Sequence, residues 1–384
     1  MPAPMPDAPP KTLTLFLAGD VMTGRGIDQV LPHPCDPALH EPYALSALDY
    51  VHLAEAAHGP IPRPVPPAYV WGEALEELER RRPDLRVVNL ETAITCDGSW
   101  EPKGINYRMS PENAGVLQAA GVQLCSLANN HVLDWGPAGL EETLRTLEGL
   151  GIARAGAGMD LEEAAAPAAL SLPGGGRLLF FACGTADSGI PPHWAAGPGR
   201  PGVHLLEDLS EGQARRLVRH MGRWREPGDL VLLSIHWGGN WGYTVTPEQR
   251  RFARLLVEEG DVALVHGHSS HHPKGMELHR GRLILYGCGD LINDYEGIGG
   301  HRVYRSDLGL MYFATLSRSD GRLLRLTMTP TRLRRFRLER AQAREVRWVQ
   351  RALQRACAPF GLRVHRHAPG GLILRPARAA APQA

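Results

Sequence analysis

Short apolar runs alternate with amphipathic helical stretches through the first two thirds of this chain, and each run breaks off at a polar residue. Residues 12–18 stop at Gly19-Asp20, and 85–90 stop at Glu91. Residues 122–127 lead into Asn129-Asn130-His131, 230–235 stop at His236, and 262–265 turn through Gly267 into a knot of His266, His268, His271 and His272. Helical spacing fills the intervals: 72–82 before Pro83, 111–120, 136–150 closing on Gly151, 209–225 and 247–259. Strand, helix, strand in that order predicts largely parallel pairing with helices on the faces. Ligands in such sheets sit at the carboxyl ends of strands, which is where Asp20, Glu91, Asn130, His236 and His268 fall.

The remaining segments read differently. Residues 1–11 are a Pro-rich leader expected to be disordered, and 31–69, rich in Pro, His and Ala, is a long insertion with one short helix. Residues 184–202 form a Gly/Pro-rich loop. Runs at 283–286, 310–316 and 323–328 follow one another across loops, a hairpin pattern. Residues 339–356 carry an amphipathic stripe (Val346, Val349, Leu353) on a basic helix. From Thr331 onward the chain has thirteen Arg against two acids, Glu339 and Glu345. A solvated helix face is the expected reason.

Charge and cysteine usage narrow the function classes. Forty-two Lys and Arg against 41 Asp and Glu leave a net charge of +1, so no general attraction to nucleic acid is expected. The first twenty residues lack a secretory plan and no apolar run is long enough to span a membrane, which predicts a cytoplasmic protein without a transmembrane segment. Six scattered Cys without a CxxC pair predict reduced thiols.

The strand-end set mixes carboxylate, amide and imidazole and has no thiolate. Hard oxygen with borderline nitrogen suits Mn, Fe, Zn or Mg, and six or more such donors can hold two divalent ions. Such a pair lowers the pKa of water and clamps both oxygens of an in-line displacement. Arg25, Lys103 and Arg108 are candidate contacts to an anionic substrate, and Tyr243 with Trp241 and the 184–202 loop a candidate pocket wall.

GDVMTGR (19–25), NLETAIT (89–95), ANNHVLDWG (128–136), HWGGNWGY (236–243) and GHSSH (267–271) resemble the ordered motifs of the CapA family, the poly-gamma-glutamate capsule proteins. That family's domain is similar to calcineurin-like metallophosphoesterases, and the resemblance covers residues 13–294. It implies an α/β fold, a four-layer α/β/β/α metallophosphatase-like sandwich over 12–330, with 331–384 as a basic helical extension packed on it. It implies two divalent ions (Mn, Fe or Zn), with Asp20 on one metal and Glu91 bridging or shared. Asn130, His236 and His268 would hold the second metal, and His271 would return to the first. His131 matches the histidine that polarises or protonates a leaving oxygen, with Asp134 orienting it and Asn89 among the substrate contacts. His266 and His272 read as bystanders. Met22 stands where calcineurin-like enzymes carry a ligand His, Asn240 replaces the usual acid after HWG, and Asp290 stands where the family's later element has Asn. Three functions follow as expectations. The first is a metal-dependent hydrolase of metallophosphoesterase type acting on an anionic small molecule, polyglutamate or peptide. The second is a non-catalytic accessory factor in capsule synthesis, and the third a peptide- or amide-modifying enzyme.

Overall fold

In the Thr12–Val21 strand Leu13, Leu15 and Leu17 face one way while Phe16 and Ala18 face the other, and the two faces bury against different partners. The computed structural model describes residues 11–172, 175–298 and 303–377. The leader expected over 1–11 therefore lies outside the described residues, apart from Lys11.

The fold is mixed α/β, built on two large sheets. In the larger, Thr12–Val21 pairs in parallel with Leu85–Leu90, which continues through Leu124–Ser126 to Ala153–Ala155. Its other side is antiparallel, through Leu308–Ser317 and Leu323–Arg334. The second sheet runs Arg177–Thr185, Leu230–His236, Val262–His268 and Arg282–Leu285, all parallel, with an antiparallel strand at Met276–His279. Parallel strands need crossovers, and the helical stretches expected from spacing supply them at Glu73–Arg81, Gly136–Gly149, Glu211–Gly222 and Pro247–Gly260.

Period-two alternation sorts the side chains into three apolar clusters. Phe16, Ala18, Val88 and Leu90 pack with Leu78, Leu117, Leu140 and Leu144 from helices. Leu13, Leu15, Leu17 and Val87 meet Phe180, Leu232, Leu264 and Leu283 of the second sheet. That sheet's opposite residues, Leu179, Phe181, Leu233 and Ile235, bury Leu217, Phe252 and Leu256.

Two expectations are corrected. The boundary at 330 falls inside the Leu323–Arg334 strand, and the segment after it is not simply helical. Its helix, Ala343–Cys357, buries Val346, Val349 and Leu353 in the inter-sheet cluster. A hairpin, Leu362–His367 with Gly371–Pro376, then joins the larger sheet beside Leu323–Arg334. Leu362, Val364, Leu372 and Leu374 supply the buried face of the hairpin while the Arg and His between them stay outside, so charge masked an ordinary strand alternation. The second correction concerns thiols. Cys35 and Cys96 form a disulfide with Cα atoms 5.6 Å apart, 61 residues separated in sequence, while Cys125, Cys183, Cys288 and Cys357 are free and buried. Pairing across such a distance depends on the path of the 31–69 insertion, whose one α-helix is Ala47–His58. No helix among the described residues is long and apolar enough to cross a membrane.

Candidate metal centre

The strand ends converge at the carboxyl edges of both sheets. Asp20 lies beside Asn89 of the neighbouring strand and in register with Asp290 of the short Asp290–Ile292 strand. This approach requires glycine at 19. A Cβ there would lie 1.9 Å from the Gly289 carbonyl oxygen and 3.0 Å from the Cys288 Cβ, and the Asp20 N–H donates to that same carbonyl at 3.1 Å.

Two buried groups of potential ligands result. Asp20, His236 and His268 place one ligand atom each within 4.8 Å of one another, and so do Asp20, His271 and Asp290. Asp20 is the carboxylate common to both. Glu91 lies outside both groups and is joined to Asp20 by Asn89, whose Nδ2 donates to Asp20 Oδ1 (2.8 Å) and Glu91 Oε2 (3.1 Å). Asn129 donates to Asn89 Oδ1 at 3.0 Å, so the amide expected to contact substrate is bonded at both ends within the chain, its nitrogen to the two carboxylates.

Burial sets the charge state. It raises the Asp20 pKa to about 7, with Asp290 adding repulsion, and pushes Glu91 well above its usual value, reinforced by Asp20. Burial likewise holds His236 and His268 well below theirs. His271 alone is raised: burial works against its charge, but Asp290, 2.9 Å from Nδ1, outweighs it. Asp20 Oδ2 is buried without a hydrogen-bond partner.

A relay of hydrogen bonds fixes the tautomer of His268. The pairing of Thr12–Val21 with Leu85–Leu90 slips between Leu17 and Asp20, and the Ala18 carbonyl there accepts from His266 Nε2 at 2.7 Å. A carbonyl has no proton to give, so Nε2 donates, and burial keeps this ring neutral with its pKa lowered to about 4. Its bare Nδ1 takes the Ser234 hydroxyl proton at 3.1 Å. Ser234 Oγ must then accept from His268 Nε2 (2.7 Å), which leaves His268 Nδ1 as a lone pair 4.0 Å from Asp20 Oδ1 and 2.8 Å from His236 Nδ1. Neutral imidazoles oriented this way are ready ligands. His266 is thus no bystander but the anchor of the relay. His272 remains outside, accepting from the Gly242 N–H and bonded to its own neighbour's carbonyl at Pro273.

The turn after Val262–His268 carries strain. Ser269 has φ 98°, a region that costs a residue with a side chain about 1–3 kcal/mol, and its hydroxyl holds the Gly238 carbonyl at 2.8 Å. The bend lets His268 and His271 reach the same cluster.

A second constellation adjoins the first. His131 Nδ1 lies 2.6 Å from Asp134 Oδ2, and Lys103 Nζ reaches Asp134 Oδ1 at 2.9 Å. Tyr107 donates its backbone N–H to Asp134 Oδ2 (2.6 Å) and sets its ring edge-on to His131. Burial pulls His131 down to about 4 against the pull of Asp134, and Lys103 adds to the lowering. Its Nε2 faces Glu91 Oε1 at 3.8 Å. Asn130 Oδ1 lies 3.0 Å from His236 Nε2.

Three candidate substrate contacts fare differently from Lys103. Arg25 is buried and bonded to Asp294 through Nε (3.0 Å) and Nη2 (2.5 Å), to Glu41 (2.8 Å) and to the Tyr50 hydroxyl (2.9 Å). It bolts the insertion to the Asp290 region and is spent on carboxylates of its own chain. Arg108 spans the carbonyls of Asp36 and Asp97, each next to a disulfide cysteine, and stacks over Trp135. Tyr243 packs against His272 and Tyr304 rather than on a ligand group, while Trp241 lies 5.4 Å from the His271 ring. The residue that sequence reading left out of the ligand set is Asp290. Its strand has three residues, too short to register as an apolar run, and the change from the family's Asn was its only mark.

Residues 14–295 match the family described as bacterial capsule synthesis protein PGA_cap. Over 357 residues the chain is 44% identical to a Mycobacterium tuberculosis protein named probable polyglutamine synthesis accessory protein, covering 92% of this chain and 94% of that one. It is 25% identical over 217 residues to the PGA biosynthesis protein CapA of Bacillus subtilis, covering 56% of this chain and 54% of that protein. A Bacillus anthracis capsule biosynthesis protein CapA is 22% identical over 196 residues, with 50% and 45% covered.

Proposed function

The chain belongs to the bacterial capsule synthesis protein family, and from that premise we propose that it serves polyglutamate capsule synthesis through a metal-dependent hydrolytic centre. Phosphoesters are the first substrate class and amide bonds the second. The observation that carries this reading is the pair of buried ligand groups sharing Asp20. The three apolar clusters support the matching fold, two sheets face to face with helices outside.

The residues fit two divalent ions. Asp20 Oδ2 has no partner, and Asp20, Glu91 and Asp290 are buried together. If His236 donates Nε2–H to the Asn130 oxygen, its Nδ1 lone pair meets that of His268 at 2.8 Å beside Asp20, a contact that a cation resolves. Asp20, His236 and His268 would hold one ion, with Asn130 fixing the His236 ring through Nε2, and Asp20, His271 and Asp290 would hold the other, an oxygen and nitrogen set suited to Mn, Fe or Zn. Met22, buried with its sulfur 3.6 Å from the Tyr295 hydroxyl, would contribute no ligand to the ion at His271 and Asp290. Bound ions would polarise the scissile group and acidify water at neutral pH.

The chain's own groups do the rest. His131 Nδ1–H is tied to Asp134, so Nε2 stands unprotonated at neutral pH as a proton acceptor, able to return that proton to a leaving oxygen. Lys103 holds Asp134 and offers an ammonium beside the site for an anionic substrate. Asn89 and Asn129 keep the carboxylates aligned.

The name accessory protein carried by the Mycobacterium tuberculosis relative favours a second reading, in which the centre binds without turnover. Metal content per chain and hydrolysis of a phosphodiester and a γ-glutamyl peptide panel, measured after Mn or Zn loading, separate the two. Expected are two ions per chain, one or fewer in Asp20→Asn, reduced retention in Ser234→Ala, and a loss of about 10²–10⁴ in turnover for His131→Ala. Loaded protein with no turnover selects the binding role. Protein that takes up no metal overturns both.

A further inference from the structure

Outside the ligand groups, a cleft of about 500 Å³ opens between the loop after His236 and the Ala343–Cys357 helix. Tyr243, Thr244, Arg250, Arg355 and Phe360 line it. Its floor is apolar, with Phe360 stacked on Tyr286 at 5.4 Å, and the Arg250 guanidinium lies 5.0 Å over the Phe360 ring.

Two arginines and no acid line this cleft. Glu277, which pairs with Arg250 from outside the lining, is shared: Arg254 gives its Oε1 two donors (2.8 and 2.5 Å) and the Tyr286 hydroxyl donates to Oε2 at 2.8 Å. Arg250 pairs with that carboxylate through Nε at 3.4 Å, without the alignment of a hydrogen bond. Arg355 sits close enough to Tyr243 for its charge to favour the ionised phenol, though burial of Tyr243 dominates. Two guanidinium groups, a phenol and a threonine hydroxyl thus share a concave site that no carboxylate lines. An incoming anion would give both guanidinium groups a charge-assisted acceptor.

Tyr243 connects the cleft to the metal centre. Its ring packs on His272 (4.6 Å) and Tyr304 (5.5 Å), Tyr304 packs on Trp241 (5.3 Å), and Trp241 on His271 (5.4 Å). This aromatic row, flat and low in conformational entropy, gives an extended chain a surface between the two sites.

We propose that the Arg250–Arg355 cleft is a remote anion subsite, taking a carboxylate or phosphate of the same extended substrate whose reacting group lies at the Asp20 cluster. It rests on the hydrolytic reading for the identity of the far end, but its binding is measurable without turnover. The test is calorimetric titration of the full chain, at low ionic strength, with a γ-linked glutamate pentamer in one arm and inorganic phosphate in the other. Arg355→Gln is expected to weaken the pentamer about tenfold, the loss of one charge-assisted hydrogen bond, with metal content and melting temperature as in the wild type. Asp20→Asn is expected to retain the Arg355-dependent part of that binding. Weakening in the phosphate arm alone assigns the subsite to phosphate. Arg250→Gln serves as a second variant should Arg355→Gln unfold. Equal affinity of wild type and both variants for both probes, or no binding by the wild type, overturns the subsite. Intact cleft binding with no hydrolysis instead sinks the catalytic reading alone.

Discussion

Replacing Arg25 with Met removes the cation from a pocket that holds two buried acids. Arg25 is 4% exposed, Glu41 3% and Asp294 1%, so neither carboxylate can turn to water when its partner goes. Four hydrogen bonds are lost, three of them to carboxylates, together with stacking of the guanidinium on Tyr50 (3.8 Å) and Tyr107 (4.4 Å). Breaking a buried ion pair from one side costs about 3–5 kcal/mol, because the remaining charges are stranded. Arg25→Lys keeps the charge but not the fork that grips Asp294 with two donors, and should cost about 1.5–3 kcal/mol. Arg25→Met combined with Glu41→Gln and Asp294→Asn should recover part of the loss, since it removes the stranded charges along with the cation. Urea denaturation followed by tryptophan fluorescence and far-ultraviolet circular dichroism gives the differences, provided the two probes coincide. Metal retention should fall alongside, because Asp294 follows the strand that presents Asp290. A cost below about 1 kcal/mol for Arg25→Met, well under the range for a buried pair, would refute the bolt.

Gly19→Ala forces a methyl group onto the Gly289 carbonyl, so the strands bearing Asp20 and Asp290 must separate. We expect a loss of about 1–3 kcal/mol and weaker metal retention by the purified variant; unchanged melting and metal content would show that the approach is slack. Glu77 is buried under Arg80, Arg81 and Thr329; burial alone would raise its pKa, but those hydrogen bonds win and lower it to about 2. A depressed carboxyl pKa stabilises the fold above the unfolded value near 4.5, and that contribution disappears as pH falls towards 2. Glu77→Gln should therefore cost at most about 3 kcal/mol at pH 7, with the gap from wild type closing in acid denaturation below pH 4.5; a gap independent of pH contradicts the assignment.

The strand-end donors were legible because an apolar run followed by Asp, Asn or His has one natural reading in a parallel sheet. Asp20, Asn130, His236, His268 and His271 do converge, and His131 with Asp134 and Lys103 lies beside them. Positive charge was less informative. Whether an arginine is free depends on which acids the fold brings to it, and Glu41 and Asp294 reach Arg25 from an insertion and from the far end of the domain. His266 looked idle because its role runs through Ser234 and a carbonyl exposed by a register slip, which no spacing encodes. The C-terminal hairpin hid behind its arginines, and the Cys35–Cys96 pairing behind a loop of irregular path.

The register of Asp20 with Asp290 also governs when the site can exist. Ala18 meets His266 across 248 residues and Arg25 meets Asp294 across 269, so both ligand groups are closed by late-arriving chain. A nascent polypeptide emerging from the ribosome carries Asp20 long before any histidine that could share an ion with it. Such long-range closure is slow relative to local helix formation. An ion captured there would favour the finished fold by mass action rather than nucleate it. Growth in metal-poor medium should consequently yield apo chains that are already folded, loadable after the fact, and not a population of unfolded ones.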